Sequence, residues 1–270
     1  MNEIKAAFDE YFEIVNADTP ELLEEVFALR YRILCVHNTF PDFSGSRFPD
    51  GLEHDEYDSR AVHVLLRHRS SGIFVGTVRL ILPDQRHPEN KFPTELHTRF
   101  FPGVTLDTTL RQQIGEVSRF AILSEFFRRK KDHVSDASNG QNGQASVAKH
   151  DRRRFPHPML ALVVGVIRLC ARHKVYHLLS SMDPALNKLL GFYSLQLDPI
   201  GPTSDYHGVR CPYHVYVPDM LDRVRGNNRD TWELVTDHGE FWSADLSSLR
   251  NGHRRLMDTA TRNEYARLPG

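Results

Sequence analysis

Residues Val62–Leu82, VHVLLRHRSSGIFVGTVRLIL, decide the architecture. Val62 to Arg67 and Ile73 to Leu82 are runs rich in apolar and β-branched residues. Between them Arg69-Ser70-Ser71-Gly72 puts a glycine at a turn position, which predicts two antiparallel strands. Toward the C-terminus, Glu116–Leu123 (EVSRFAIL) alternates as a third strand. Pro156–Lys174 is apolar nearly all round, with Met159, Leu160, Leu162, Val163, Val166, Ile167 and Cys170, and predicts a core helix packed on the sheet. Val175–Ser181 follows as a buried strand, Pro184–Leu195 as a shorter helix and Cys211–Val217 as a last strand. Toward the N-terminus, Thr19 caps and Pro20 opens a helix that runs to about residue 35, with Leu22, Val26, Leu29 and Ile33 at helical spacing. This order predicts an α/β (α+β) layer fold, one mixed sheet flanked by helices.

The chain has 270 residues, of which 40% are hydrophobic and 26% charged, values that support a packed core and exclude a disordered or fibrous class. A net charge of -1 and a pI near 7.0 provide no overall basic field of the kind that nucleic acid or an anionic membrane attracts. Cys35, Cys170 and Cys211 are far apart and read as reduced thiols. The 15 histidines form no metal-ligand motif, and no metal is expected. The N-terminal stretch MNEIKAAFDEYFEIV does not read as a secretory signal, and the apolar run Met159–Ile167 is too short for a membrane span, so a cytoplasmic location is expected.

Asn38–Leu52, with Phe40, Phe43 and Phe48, reads as a structured loop. Ser135–Ala148 is dominated by Ser, Asn, Gly and Gln and reads as a flexible insertion, placed near 132–152. Residues 1–218 are taken as one domain and 219–270 as a helical extension anchored on it by Trp232 and Trp242.

Chemistry concentrates in three places. Glu53-His54-Asp55-Glu56-Tyr57-Asp58 packs four carboxylates just ahead of the first strand, either as a solvated acidic loop or as a holder of a positive group. Arg79, Glu116 and Arg119 are charges inside strands that should be buried, and such charges need partners. Pairing with the acidic segment is the natural resolution, whether the network is structural or shapes a site. Arg128 to Lys131 and Lys149 to Arg154 are basic runs on either side of the flexible segment.

The ordered set LRYRIL, EHDEYD, TVRLIL and GEVSRF, with Arg30, Phe40, Asp55, Asp58, Arg79, Glu116 and Arg119 in it, resembles the acyl-homoserine-lactone synthases and the related N-acyl amino acid synthases. VRLILP and the stretch after GEVSRFAIL look closest to the acyltransferases associated with PEP-CTERM/exosortase systems. The resemblance implies a GNAT fold and a fatty acyl transfer from a carrier thioester to a small amine, as in autoinducer synthesis. It implies Glu116 as base, with Asp55 and Arg119 as further catalytic residues. Arg30, Phe40, Asp58, Arg79, Ser118 and Phe120 would bind substrate, Arg30 and Phe40 by lining the acceptor or pantetheine side. Phe40 and Leu34 depart from the lactone synthases, which usually carry tryptophan and phenylalanine there.

The Q/R-x-x-G-x-G phosphate loop of coenzyme-A-dependent GNAT enzymes is absent after Leu123. The expected donor is therefore the acyl-phosphopantetheine of acyl carrier protein, with acyl-coenzyme A as the alternative and no permanently bound cofactor. Arg128, Arg129, Lys130, Arg152 and Arg153 would steer the acidic carrier in, unless they are merely a solvated face. Two other functions compete: an inactive GNAT-like module that binds an acyl chain or its carrier, and a plain acetyltransferase.

Overall fold

A computed structural model describes residues 2–37, 43–106, 110–127 and 158–246. Phe40, the basic runs 128–131 and 149–154 and the insertion near 132–152 lie outside the described residues.

The chain opens with helix α1 (Glu3–Tyr11), capped by the Asn2 side chain, and runs directly into strand β1 (Phe12–Asn16). Thr19 caps α2 (Pro20–Arg30), its hydroxyl accepting from Leu22 N at 3.3 Å. The helix then widens into a π-helical turn, Tyr31–Val36. Strands β2 (Ala61–His68) and β3 (Phe74–Ile81) form the hairpin, with Gly72 at φ +71 in its turn, a conformation glycine adopts without a steric cost. A short helix α3 (Pro93–His97) leads to β4 (Ile114–Ile122) and the four-residue α4 (Ser124–Phe127). Then come α5 (Pro158–His173), β5 (His177–Met182), α6 (Pro184–Gly191), the two-residue strands β6 (Asp198–Pro199) and β7 (Ser204–Asp205), and β8 (Val209–Tyr216). Helices α7 (Val217–Asn227) and α8 (Arg229–Thr236) close the described chain.

The strands form one mixed sheet in the order β1-β2-β3-β4-β5-β8-β6, with β7 paired to β8. Only β4 and β5 are parallel; every other pairing is antiparallel. Helix α5 crosses one face. Its Gly165 sits over Val64, so by strand alternation His63 and Leu65 point to the opposite face, where Phe27 of α2 meets the His63 ring edge-on. The main core joins α5, α2, the sheet and the last two helices. A smaller one gathers Ile81, Phe92, Leu110, Ile114, Leu179 and Ile200.

Two expectations change in detail. The N-terminal segment supplies an edge strand, β1, which the sequence did not suggest. Helix α7 runs across residue 218, so the division placed there falls inside a helix. The extension shares the main core: Met220, Leu221, Val224, Leu234 and Val235 belong to it, and Trp242 Nε1 donates to Ile167 O at 3.0 Å. No helix among the described residues is long and apolar enough to cross a membrane.

The close approach of α5 to β2 depends on the missing side chain at Gly165, where a Cβ would come within 2.8 Å of Val64 Cγ1. Gly165→Val is expected to destabilise the protein by about 1–3 kcal/mol through overpacking. Thermal denaturation measures it, and a wild-type Tm would show that the helix has room to spare.

Candidate active site

Two departures from regular sheet geometry create the site. β4 pairs with β5 only at Ile114, Gly115 and Glu116, opposite His177, Leu178 and Leu179. Beyond that point β4 stays with β3 as far as Ile122, while β5 stays with β8 as far as Met182. The two halves of the sheet therefore diverge, and the Ser180 hydroxyl, donating to Val117 O at 3.1 Å, reaches across. Second, Arg79 pairs with Ser118 but Thr77 with Ala121, so β4 spends three residues where β3 spends two. This is a bulge, and it carries Arg119 into the left-handed region at φ 51. A non-glycine residue held there is strained, a feature that clusters at functional sites.

Charge surrounds the bulge. Arg79 is 1% exposed and Arg30 0%, and both end in carboxylates of the acidic segment. Arg79 Nη1 donates to Asp55 Oδ1 (2.6 Å) and Asp58 Oδ1 (2.9 Å), and its Nε to Ser118 Oγ (2.9 Å). Arg30 binds Asp58 through both terminal nitrogens, at 2.8 and 3.2 Å, and Glu53 through Nε. Arg119 reaches Glu53 Oε1 at 3.0 Å through Nε and Asp55 Oδ2 at 2.8 Å through Nη2. Glu53 is itself tied to α2, its N–H donating to Phe27 O at 3.1 Å. Burial alone would raise the carboxyl pKa values of Glu53, Asp55 and Asp58, but the arginines outweigh it and hold all three below their ordinary range. His63, against the same cluster, is pushed down to about 4 by burial and by Arg30, and so stays neutral at physiological pH.

Glu116 is different. It is 2% exposed and accepts one hydrogen bond, from Thr94 N at 2.9 Å at the start of α3. Burial raises its pKa to about 7, against the pull of Thr94 and Arg79. The carboxylates on either side of Arg79 thus differ in state near neutrality: Asp55 ionised, Glu116 close to half-protonated.

A cavity of about 320 Å³ runs through the gap. At one end it is lined by Asp55, Tyr57, Arg79, Glu116, Ser118 and Arg119, roofed by Phe43, Tyr206, His207 and Arg210. At the other it passes between Val163, Val166 and Ile167 of α5 and Leu186, Leu190, Leu195, Leu197 and Met220. One end is polar and charged, the other aliphatic.

The structure brings Arg30, Asp55, Asp58, Arg79, Ser118 and Arg119 into one cluster, with Glu116, Ser118 and Phe120 on the cavity wall. Arg30 corrects an expectation: it does not line the cavity, because its guanidinium is fully buried between Glu53 and Asp58. Asp58 likewise lies behind the wall, turned to Arg30 and Arg79. Asp58 accepts from Arg79 and from Asp55 N, residues that do face the cavity, and Arg30 in turn holds Asp58. Sequence reasoning did not single out Tyr57, Thr94, Ser180, Tyr206 or His207 as site residues. Gly208 marks a turn after Tyr206-His207, but nothing in the chain says that this turn folds over β4.

Residues 29–134 match the Acetyltransferase (GNAT) domain family, an acyltransferase domain. The fold is a GNAT fold. Among solved structures, the chain is similar to the AHL synthase LasI at 17% identity and TM-score 0.51, covering 80% of this chain and 96% of that one. It is also similar to BjaI, a CoA-dependent acyl-homoserine lactone synthase solved with MTA, at 18% identity and TM-score 0.51, covering 87% and 91%. A third is TofI, in a ternary complex with an inhibitor and MTA, at 16% identity and TM-score 0.50, covering 83% and 97%. No curated protein matches the chain in sequence.

The ion-pair cluster makes a testable demand on stability. Arg79→Ala and Asp58→Ala each strand a buried charge, and each is expected to cost on the order of 3–5 kcal/mol. Chemical denaturation at neutral pH measures this, and wild-type midpoints would show that the charges are already solvated.

Proposed function

We propose that the protein is an N-acyltransferase that moves a fatty acyl group from a carrier thioester to the amine of a small acceptor such as an amino acid. It thereby works in the manner of acyl-homoserine-lactone and N-acyl amino acid synthases. The observation that carries the proposal is the cavity itself, polar at Glu116 and the bulge and aliphatic beyond the divergence of β4 and β5. An acetyl group needs no such aliphatic end. The ordered motifs and the VRLILP stretch favour placement near the PEP-CTERM/exosortase-associated enzymes.

In this reading the thioester lies across the gap with its acyl chain at the aliphatic end. The acceptor amine, with a pKa on the order of 8, must be neutral to attack. Glu116, buried and near pKa 7, takes the proton, directly or through a water, as the nitrogen adds to the thioester carbonyl. A backbone N–H on the strand after Arg119 holds the developing oxyanion. The C–S bond then breaks, the C–N bond remains, and the thiolate leaves to accept a proton. Asp55, fixed by Arg79 and Arg119, stays anionic and supports the cluster beside the reacting centre.

Glu116→Gln preserves shape and removes the base. It is expected to slow acyl transfer by about 100- to 10,000-fold, measured as thiol release from acyl thioesters in the presence of amines. The wild-type rate should rise with pH through about 7, where Glu116 loses its proton, and the variant should lack that limb. Wild-type turnover in the variant would remove Glu116 from this role.

The donor is proposed to be acyl carrier protein, on the missing phosphate loop and the two basic runs. A second reading, acyl-coenzyme A, is favoured by the likeness to the CoA-dependent BjaI. The KM for acyl carrier protein should rise steeply with salt, since exposed charges are screened within roughly 10 Å at 0.1 M. Reversing Arg128 and Arg129 to glutamate should raise it further while sparing any coenzyme-A reaction. Equal efficiency with both donors at low and high salt would show that the basic runs are merely a solvated face.

A further inference from the structure

The polar end of the cavity is roofed by the tip of the β7–β8 hairpin, Tyr206-His207-Gly208, and the tip is held by a chain of ring contacts. Tyr206 stacks on His97 of α3 (4.4 Å between centroids, 11° between planes). His207, at φ 58, packs on Phe43 at 4.8 Å, and Phe43 in turn lies against the Arg119 guanidinium at 5.0 Å. The tip is thus locked at both sides, to the helix that feeds Glu116 its hydrogen bond and to the bulge.

That lock leaves the Tyr206 hydroxyl for something else. Its ring faces are taken up by His97 and His207, but among the described residues its hydroxyl makes no hydrogen bond. It lies on the cavity wall, close enough to Glu116, Asp55, Tyr57 and Arg119 to feel their charges. A half-buried phenol aimed into a polar cavity and unpaired there is a recognition group, because a ligand that fails to meet it leaves a hydrogen-bonding group desolvated without return. It is poorly suited to acid catalysis: burial pushes its pKa up to about 12, well above that of the thiol it would have to serve.

Building on the acyl-transfer reading, we infer that Tyr206 determines acceptor specificity, its hydroxyl hydrogen-bonding a second polar group of the acceptor while the amine meets Glu116. The acceptor is then an amine with an oxygen function a few bonds from nitrogen, held between the β4 bulge and the hairpin tip, and a simple alkylamine is disfavoured.

The test compares the common L-amino acids, each with its decarboxylated amine (L-leucine with isopentylamine, L-phenylalanine with phenethylamine), using a dodecanoyl thioester and the full chain. Wild type should prefer the amino acid of a pair by tenfold or more in kcat/KM. Tyr206→Phe keeps the ring and its stack on His97, and should raise the KM for the amino acid about tenfold, the worth of one hydrogen bond of ordinary strength, while leaving that for the decarboxylated partner in place. A wild type that shows no preference, or a Tyr206→Phe enzyme that keeps the preference, overturns the inference and leaves acyl transfer standing. A wild type that transfers to no amine of either set removes the acyl-transfer reading and this one together.

Discussion

The guanidinium of Arg79 sits in the middle of a central strand, 1% exposed, and cannot be buried alone. Asp55 and Asp58 must therefore come to it, which draws the acidic segment across the end of the hairpin and fixes where β2 begins. Once there, the same carboxylates and Glu53 take in Arg30 from α2 and Arg119 from the bulge. Three guanidiniums and three carboxylates thus tie a helix, a turn and two strands at one point. Stability alone does not call for such a network, because well-packed apolar replacements of buried ion pairs are often neutral or stabilising. What the network provides is position: it holds β4 in a strained bulge and keeps Asp55 facing the cavity.

Against that cluster Glu116 stands out by its isolation. It lies two residues before Ser118 on the same strand, yet among the described residues no arginine is hydrogen-bonded to it, and its charge is supported by the Thr94 N–H and by the field of Arg79. Two carboxylates within one cavity are driven apart in proton affinity, one by guanidinium partners and the other by burial. Such separation is how a single site assigns one acid group to structure and another to proton transfer. The short α3 that carries Thr94 is itself held by Glu95, which accepts from Phe92 N at 2.8 Å and twice from Arg111 at 2.9 Å.

The hairpin, β4, α5, β5 and β8 were legible in sequence because each is a run of one periodicity closed by a glycine, a proline or a cap. The charged cluster was legible for the opposite reason, since Arg79 and Arg119 break runs that ought to be buried. β1 was not: Phe12–Asn16 is a five-residue run that follows directly on a helix, and its partner is the edge of β2, about 50 residues away in the chain. The hairpin tip was equally hidden, as two-residue strands have no period to detect. Arg30 was expected on the acceptor or pantetheine side, whereas its guanidinium turns inward to Glu53 and Asp58, a direction that sequence does not encode. Thr94 lies 22 residues from Glu116, and its contribution is a backbone N–H, which no side-chain pattern encodes.

The seam between β4 and β5 is three residue pairs long and, among the described residues, is the only place where the two halves of the sheet share a ladder. The halves are each antiparallel, whereas the seam joins strands separated by a crossover that includes all of α5. Long-range parallel pairing of that kind is intrinsically slow to form. The protein is in this respect a pair of palms joined along a short edge, with the cavity between them from Val117 onward. A molecule held there by backbone groups of both strands would stiffen the sheet as a whole, so that occupancy would be felt as slower amide exchange in β1 and β8 alike, far from any contact with it.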